Sequence, residues 1–263
     1  IVFYAENKAS MNHFKSLIFE LTEKMNLQIC YVTSVKDDPI FSSKNQRILP
    51  FYIGDGTART KFFLTLKAII LVMDMPDLQT FHIKRSKKYP VHYVYLFHSM
   101  YSVHSYLRKG AVDNYDTIFC VGPHHVKEIR ETEKVYGLKA KKLINYGYGR
   151  LDTLLQKKIN SQATNSNAKD LIIITPSYGE NNLLERCGTQ LIDTLLKSNF
   201  RVMLRPHLRT LRDSTKLIDS IKKKFGKNPN FALETGIIKF DSLNNSLCMI
   251  SDWSGISLEY AFT

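Results

Sequence analysis

Apolar positions along this chain fall into short unbroken runs, separated by stretches with a helical period. Ile1-Val2-Phe3-Tyr4-Ala5 opens as a strand, and Asn12 to Asn26 carries Phe14, Leu17, Ile18, Leu21 and Met25 at helical spacing. Leu27 to Thr33 is a second apolar run, so the chain begins β-α-β, which favours a parallel sheet. Phe51-Tyr52-Ile53 predicts a short strand ending in the turn Gly54-Asp55-Gly56. Thr60 to Met73 is the most apolar helical stretch, leading into a strand before Met75-Pro76. It is too short for a transmembrane span and carries Lys67. Strands follow at Val91 to Phe97, which empties into His98-Ser99, at Thr117 to Gly122 and at Lys142 to Tyr146. A charged helix is predicted at Pro123 to Tyr136, and Gly147 to Asp152 reads as a turn.

Ile159 to Lys169 is polar and low in hydrophobicity, and reads as a linker. The pattern then restarts, with strands at Leu171 to Thr175, Arg201 to Leu204, Phe231 to Leu233 and Leu247 to Ile250. Helices are predicted at Asn182 to Lys197 and Arg212 to Phe225. Two successive α/β halves imply two Rossmann-like domains facing each other across a cleft: 1–158, a linker at 159–169, and 170–263. The first residues already form a core strand with no initiator Met, and Glu259 to Thr263 stop inside a helical pattern without a cap. The expectation is a fragment with an incomplete C-terminal domain.

Composition narrows the class. The content is 44% hydrophobic and 23% charged, ordinary for a globular protein, but 37 Lys+Arg against 24 Asp+Glu give a net charge of +13. That charge suits polyanionic partners: nucleic acid, an anionic lipid surface or a phosphate-rich substrate. Cys30, Cys120, Cys187 and Cys248 are far apart without a C-x-x-C spacing, so buried thiols in a reducing compartment are expected, not a disulfide frame or a zinc site.

The chemistry-bearing residues gather at predicted strand ends, where open α/β sheets bind ligands. His98 follows one strand, either as a general base or as a loop histidine held by hydrogen bonds. Ser99 lies beside it, but no G-x-S-x-G elbow supports a serine nucleophile. Val202 to Leu204 delivers Arg205-Pro206-His207, where the proline keeps the chain extended and aims the histidine outward. Ser251-Asp252-Trp253-Ser254-Gly255 opens a helix, either as an ordinary N-cap or as a phosphate cradle. Arg150 and Asp152 are a surface ion pair or part of the cleft. His124-His125 point apart, and no set of metal ligands emerges.

Taken together, Tyr95-Leu96-Phe97-His98-Ser99, Gly147-Tyr148-Gly149-Arg150-Leu151-Asp152, Leu204-Arg205-Pro206-His207 and Ser251-Asp252-Trp253-Ser254-Gly255 resemble the CDP-glycerol glycerophosphotransferase family of wall teichoic acid and capsule synthesis. The order and rough spacing agree from about residue 90 onward. Ser99, Gly149 and Gly255 depart from the family's usual Gly, Pro and Ser. The resemblance implies a GT-B-like fold and no cofactor or metal. It implies transfer of a polyol phosphate from CDP-glycerol or a related CDP-polyol to a hydroxyl of a lipid-linked or polymeric acceptor, with CMP leaving. By motif match His98 is the base, while His207, Ser251, Asp252 and Ser254 hold the donor phosphates, joined by Arg205 and Gly255. The implied setting is cytoplasmic, at the inner face of a bacterial plasma membrane, with an anionic membrane surface as partner and no nucleic acid. Two rivals remain: a GT-B glycosyltransferase using a nucleotide sugar, and a non-catalytic polyanion-binding α/β protein.

Overall fold

The computed structural model describes residues 1–161, 170–235 and 243–263, and the side chains of all of these except 157–161. The chain divides into two compact units, Ile1–Asp152 and Thr153–Thr263. Unit 1 is built on strands β1 (Val2–Ala5), β2 (Ile29–Thr33), β3 (Ile48–Tyr52), β4 (Ile70–Met73), β5 (His92–Leu96), β6 (Thr117–Cys120) and β7 (Lys142–Asn145). They form one all-parallel sheet in the order β3-β2-β1-β4-β5-β6-β7. Its helices are α1 (Ser10–Phe19, extended by a π-helical turn to Lys24), α2 (Gly56–Thr65), α3 (Val103–Tyr106), α4 (Pro123–Tyr136) and α5 (Gly149–Ser161), which continues past the unit boundary.

Central strands of a parallel sheet are covered on both faces, so successive residues enter different cores. Tyr4, Leu71, Met73, Tyr93 and Tyr95 join one apolar cluster, and Phe3, Ala5, Val72, Val94 and Leu96 join the other. Several core positions are tyrosines, whose hydroxyls need partners. Tyr4 Oη lies 2.9 Å from Ser34 Oγ, the Tyr93 oxygen accepts the Ser86 N–H at 2.7 Å, and Tyr115 donates to the Met75 carbonyl.

Unit 2 repeats the plan at smaller scale. Strands β8 (Leu171–Thr175), β9 (Arg201–Leu204), β10 (Phe231–Leu233) and β11 (Cys248–Ser251) pair in parallel in the order β10-β9-β8-β11. Its helices are α6 (Thr189–Lys197, preceded by a π-helical turn from Leu184), α7 (Leu208–Asp213), α8 (Thr215–Phe225) and α9 (Ile256–Tyr260).

The structure corrects several expectations. The strand expected before Met75-Pro76 is β4 (Ile70–Met73), but the helix leading into it is shorter and earlier than Thr60 to Met73: α2 stops at Thr65, where Leu66 turns extended (ψ 126°). A β-branched run buried between β1 and β5 gains more as a strand than as a helix. Gly147 to Asp152 is not simply a turn. Gly147 takes a left-handed φ of +89°, and α5 begins two residues later, placing Arg150 and Asp152 in its first turn. Of the expected linker, residues 159–161 belong to α5, and 162–169 lie outside the described residues. The helix expected from Arg212 is two helices divided at Ser214. Ser251 ends β11 instead of lying in the turn beyond it.

Candidate active site

In both sheets the connections reverse direction beside the first strand, between β1 and β4 and between β8 and β11. Crevices outside the carboxyl ends of strands at such points are where open α/β sheets bind ligands. Each unit brings its chemistry-bearing residues to this place.

In unit 1, β4 ends at Met73 and presents Asp74, while β5 runs through Phe97 to His98. His98 Nδ1 lies 2.9 Å from the Asp74 carbonyl oxygen. A carbonyl only accepts, so Nδ1 carries the proton and the neutral ring keeps its lone pair on Nε2. The Tyr148 hydroxyl donates to the His98 carbonyl at 3.2 Å, latching the Gly147–Arg150 segment to the end of β5. Burial lowers the His98 pKa, and the hydrogen bond to the Asp74 backbone opposes part of that shift. The ring is therefore neutral and basic near physiological pH, the state a general base requires.

Three residues that the sequence pattern did not single out complete this centre. Asp74 is buried and accepts a hydrogen bond from Ser10 Oγ at 3.1 Å. Burial pushes its carboxyl up to about 7, with the Ser10 bond opposing. His13, one helical turn after Ser10, has its ring centroid 5.9 Å from that of His98 and 6.5 Å from that of Tyr148. Its pKa is pushed down to about 3 by burial, then by the charges of His98 and Arg150. The available signal was helical: Ser10 and His13 are i, i+3 on α1 and face the same way. Ser99 sits at the rim, where its Oγ accepts the Tyr101 N–H at 3.3 Å, and Asp152 is exposed.

The two buried groups have opposite linkage. Asp74 has a folded pKa above its unfolded value of about 3.8, so acidification from pH 7 toward 3.8 stabilises the fold through it. His13 has a folded pKa below its unfolded value of about 6.5, so acidification from pH 6.5 toward 3 destabilises the fold. His13→Gln is expected to remove the second effect, raising acid stability relative to wild type by up to about 1.4 kcal/mol per pH unit over that window. Hydrogen exchange of the β1, β4 and β5 amides at pH 7, 6 and 5 checks this; an unchanged difference across the series would refute it.

In unit 2 the two motifs converge on a segment that sequence reasoning passed over, the loop 176–183 after β8. Ser251 Oγ donates to the Thr175 carbonyl at 2.7 Å. The Asp252 carboxylate accepts the Ser177 N–H at 2.5 Å through one oxygen and the Leu183 N–H at 2.7 Å through the other. From the other side, the His207 ring lies against Tyr178 with centroids 4.5 Å apart, and the Arg209 guanidinium sits 4.5 Å from the same ring. His207 Nδ1 accepts the Arg209 N–H at 3.1 Å, capping α7. In the neutral ring Nε2 then carries the proton and is left as a donor. Its pKa is lowered by burial and then by Arg209. Arg205 pairs with Glu234 at 3.2 Å, both largely buried. Ser254 and Gly255 form the turn into α9, whose Ser257 hydroxyl bonds back to the Ser254 carbonyl at 2.7 Å.

A separate recess of about 360 Å³, lined in part by Arg85, Tyr89, His92 and Asp116, opens at the amino-terminal ends of β5 and β6. It lies at the sheet edge opposite His98. Among the described residues no group of three or more His, Cys, Asp or Glu is placed to hold a metal ion.

No family model and no curated protein matches the chain. Solved structures do. UDP-GlcNAc 2-epimerase of Methanocaldococcus jannaschii, in complex with UDP-GlcNAc and UDP, aligns over 99% of this chain and 81% of its own, with 15% identity and a TM-score of 0.68. The fold is GT-B-like. Two further structures agree: S. aureus MnaA with UDP (15% identity, 99% and 76% covered, TM-score 0.64) and the Neisseria meningitidis UDP-GlcNAc 2-epimerase bound to UDP-GlcNAc (16%, 97% and 77%, 0.62). At these identities the likeness concerns the fold.

Proposed function

We propose that the protein is a transferase for a nucleoside-diphosphate-linked donor, with acceptor activation in unit 1 and donor binding in unit 2. The observation that carries this reading is His98: a neutral imidazole beside the switch point, its Nδ1–H fixed by the Asp74 carbonyl and its Nε2 left basic. In this scheme Nε2 takes the proton of an acceptor hydroxyl as its oxygen attacks the donor. The Nε2–H of His207 meets a diphosphate oxygen, and the exposed Tyr178 with Arg209 offers a stacking surface for the base. Asp252 and Ser251 position the 176–183 loop that carries Tyr178. Arg205, already paired with Glu234, adds its charge at the end of β9, and Ser254 and Gly255 form the turn after β11.

The family resemblance favours CDP-glycerol or another CDP-polyol as donor, with attack on the distal phosphate and release of CMP. The fold likeness to structures bound to UDP and UDP-GlcNAc favours the second reading, a nucleotide sugar. Turnover separates them. Incubation with CDP-glycerol and a glycerol-phosphate-ended acceptor should release CMP. Release of UDP from a UDP-sugar, with CDP-glycerol inert, would replace the first reading with the second. Intact donors throughout would leave a polyanion-binding protein.

The same reading places the protein at the cytoplasmic face of an anionic membrane. No helix of the described residues is long and apolar enough to cross a membrane. Arg59 and Arg85 are committed to Glu6 and Asp116, while Lys61, Lys67, Lys87 and Lys88 are exposed. Lys87 is tied by its N–H to the Leu64 carbonyl at the end of α2, and Ile69, between α2 and β4, is 81% exposed. At about 1 kcal/mol per basic residue near an anionic surface, Lys87→Glu/Lys88→Glu should reduce binding to phosphatidylglycerol vesicles at least 30-fold. Vesicle flotation across a salt series measures it. Equal binding to neutral vesicles, insensitive to salt, would remove the membrane from the proposal.

A further inference from the structure

His13 stands beside the proposed base without a task in the scheme above. Its Nδ1 is buried and has no hydrogen-bond partner among the described residues, although buried polar atoms are nearly always paired. Ser10, one turn earlier on α1, donates to the Asp74 carboxylate, and the Asp74 carbonyl accepts from His98, so one residue sets the position of both imidazoles. The two rings are 5.9 Å apart, and the Tyr148 ring lies 6.5 Å from His13. Both histidines keep part of their surface exposed.

We propose that His13 is a binding residue for a second hydroxyl of the acceptor, so that unit 1 takes a polyhydroxyl end group by two points and not an isolated alcohol by one. This rests on the reading of His98 as the acceptor's base. One hydroxyl lies against His98 Nε2 and gives up its proton there; a neighbouring hydroxyl of the same end group exchanges a hydrogen bond with His13 Nδ1. A hydroxyl fits either tautomer, because it both donates and accepts. The ring stays neutral in this environment, with the Arg150 charge nearby, which suits a neutral polyol and disfavours an ammonium group. The bound hydroxyl also relieves the burial penalty of an unpaired nitrogen, an incentive that a single-hydroxyl alcohol does not supply.

The test uses the full chain with isotope-labelled histidine side chains, and ribitol and 1-propanol as probes. Ribitol should shift the ring signals of both His13 and His98, whereas 1-propanol should shift those of His98 alone. His13→Phe should lower the preference for ribitol over 1-propanol about tenfold. His13→Asn, whose amide reaches the position of Nδ1, should restore most of it, which a merely structural role for the ring would not predict. Equal response to the two probes, or a wild-type preference in His13→Phe with its fold verified by circular dichroism, would overturn the proposal. If wild type transfers no group from any nucleotide donor while ribitol still perturbs His13, the transferase reading falls and the polyol site stands.

Discussion

His98→Ala and His98→Asn are each expected to reduce transfer by roughly 100- to 10,000-fold, the usual contribution of a positioned general base. The pair of variants divides the two uses of the ring. Asparagine places its amide near Nδ1 and still donates to the Asp74 carbonyl, so the local fold is kept while the basic Nε2 is gone. Alanine removes both, and leaves the Asp74 carbonyl without the bond that His98 now makes at 2.9 Å, which should cost about 1 kcal/mol of stability in addition. Product release measured at saturating donor and acceptor gives the rate, and thermal unfolding gives the stability. Burial lowers the His98 pKa, so the acid limb of the wild-type rate profile should lie below the ordinary histidine value of about 6.5. His98→Asn turning over at the wild-type rate would take the residue out of the chemistry. It would leave the histidine as a structural tie between β4 and β5.

How much of this was legible in the sequence differs between scaffold and site. Parallel strands buried on both faces show themselves as unbroken apolar runs, and Leu171–Thr175 and Phe231–Leu233 appear in the structure with the bounds the pattern predicts. The helix Pro123–Tyr136 was bounded chemically as well, by a proline in its first turn and by Gly137 in the left-handed conformation at its end. Over Thr60 to Met73 the order of helix then strand was legible but the boundary was not, because an apolar run without clear periodicity fits a helix or a strand equally well, and the place between β1 and β5 decides it. In the site, His98 and His207 were recognisable because each lies within three residues of a strand's carboxyl end. Asp74, His13, Tyr178 and Arg209 were not. Their roles come from topology, which sets β4 beside β1 and brings α1 over both, and from a loop that two separated motifs hold in common. Asp252 shows the limit most sharply. As a sequence feature it sat in a hydroxyl-rich turn and read as part of a phosphate cradle, yet both of its oxygens are occupied by backbone N–H groups of another loop.

That occupation makes the second large effect. Asp252→Asn should lower the stability of unit 2 by about 2–4 kcal/mol, because the carboxylate accepts two charge-assisted bonds and an amide accepts only one. The NH₂ end of the asparagine would face either the Ser177 or the Leu183 N–H, donor against donor, and the loop 176–183 would have to move away. Trp253 is the protein's single tryptophan, 65% exposed and adjacent in sequence, so urea unfolding followed by its fluorescence reports on this corner directly. Nucleotide affinity then tells which of two roles Asp252 plays. If it holds the loop that presents Tyr178, Asp252→Asn should weaken CDP or UDP binding at least tenfold as the stacking surface is lost. Were the carboxylate instead to face the donor phosphates, removing its negative charge would strengthen binding of the diphosphate. The sign of the change, read by calorimetry at a temperature where the variant is folded, therefore decides between a clasp and a phosphate neighbour. Tighter binding in the variant would defeat the clasp.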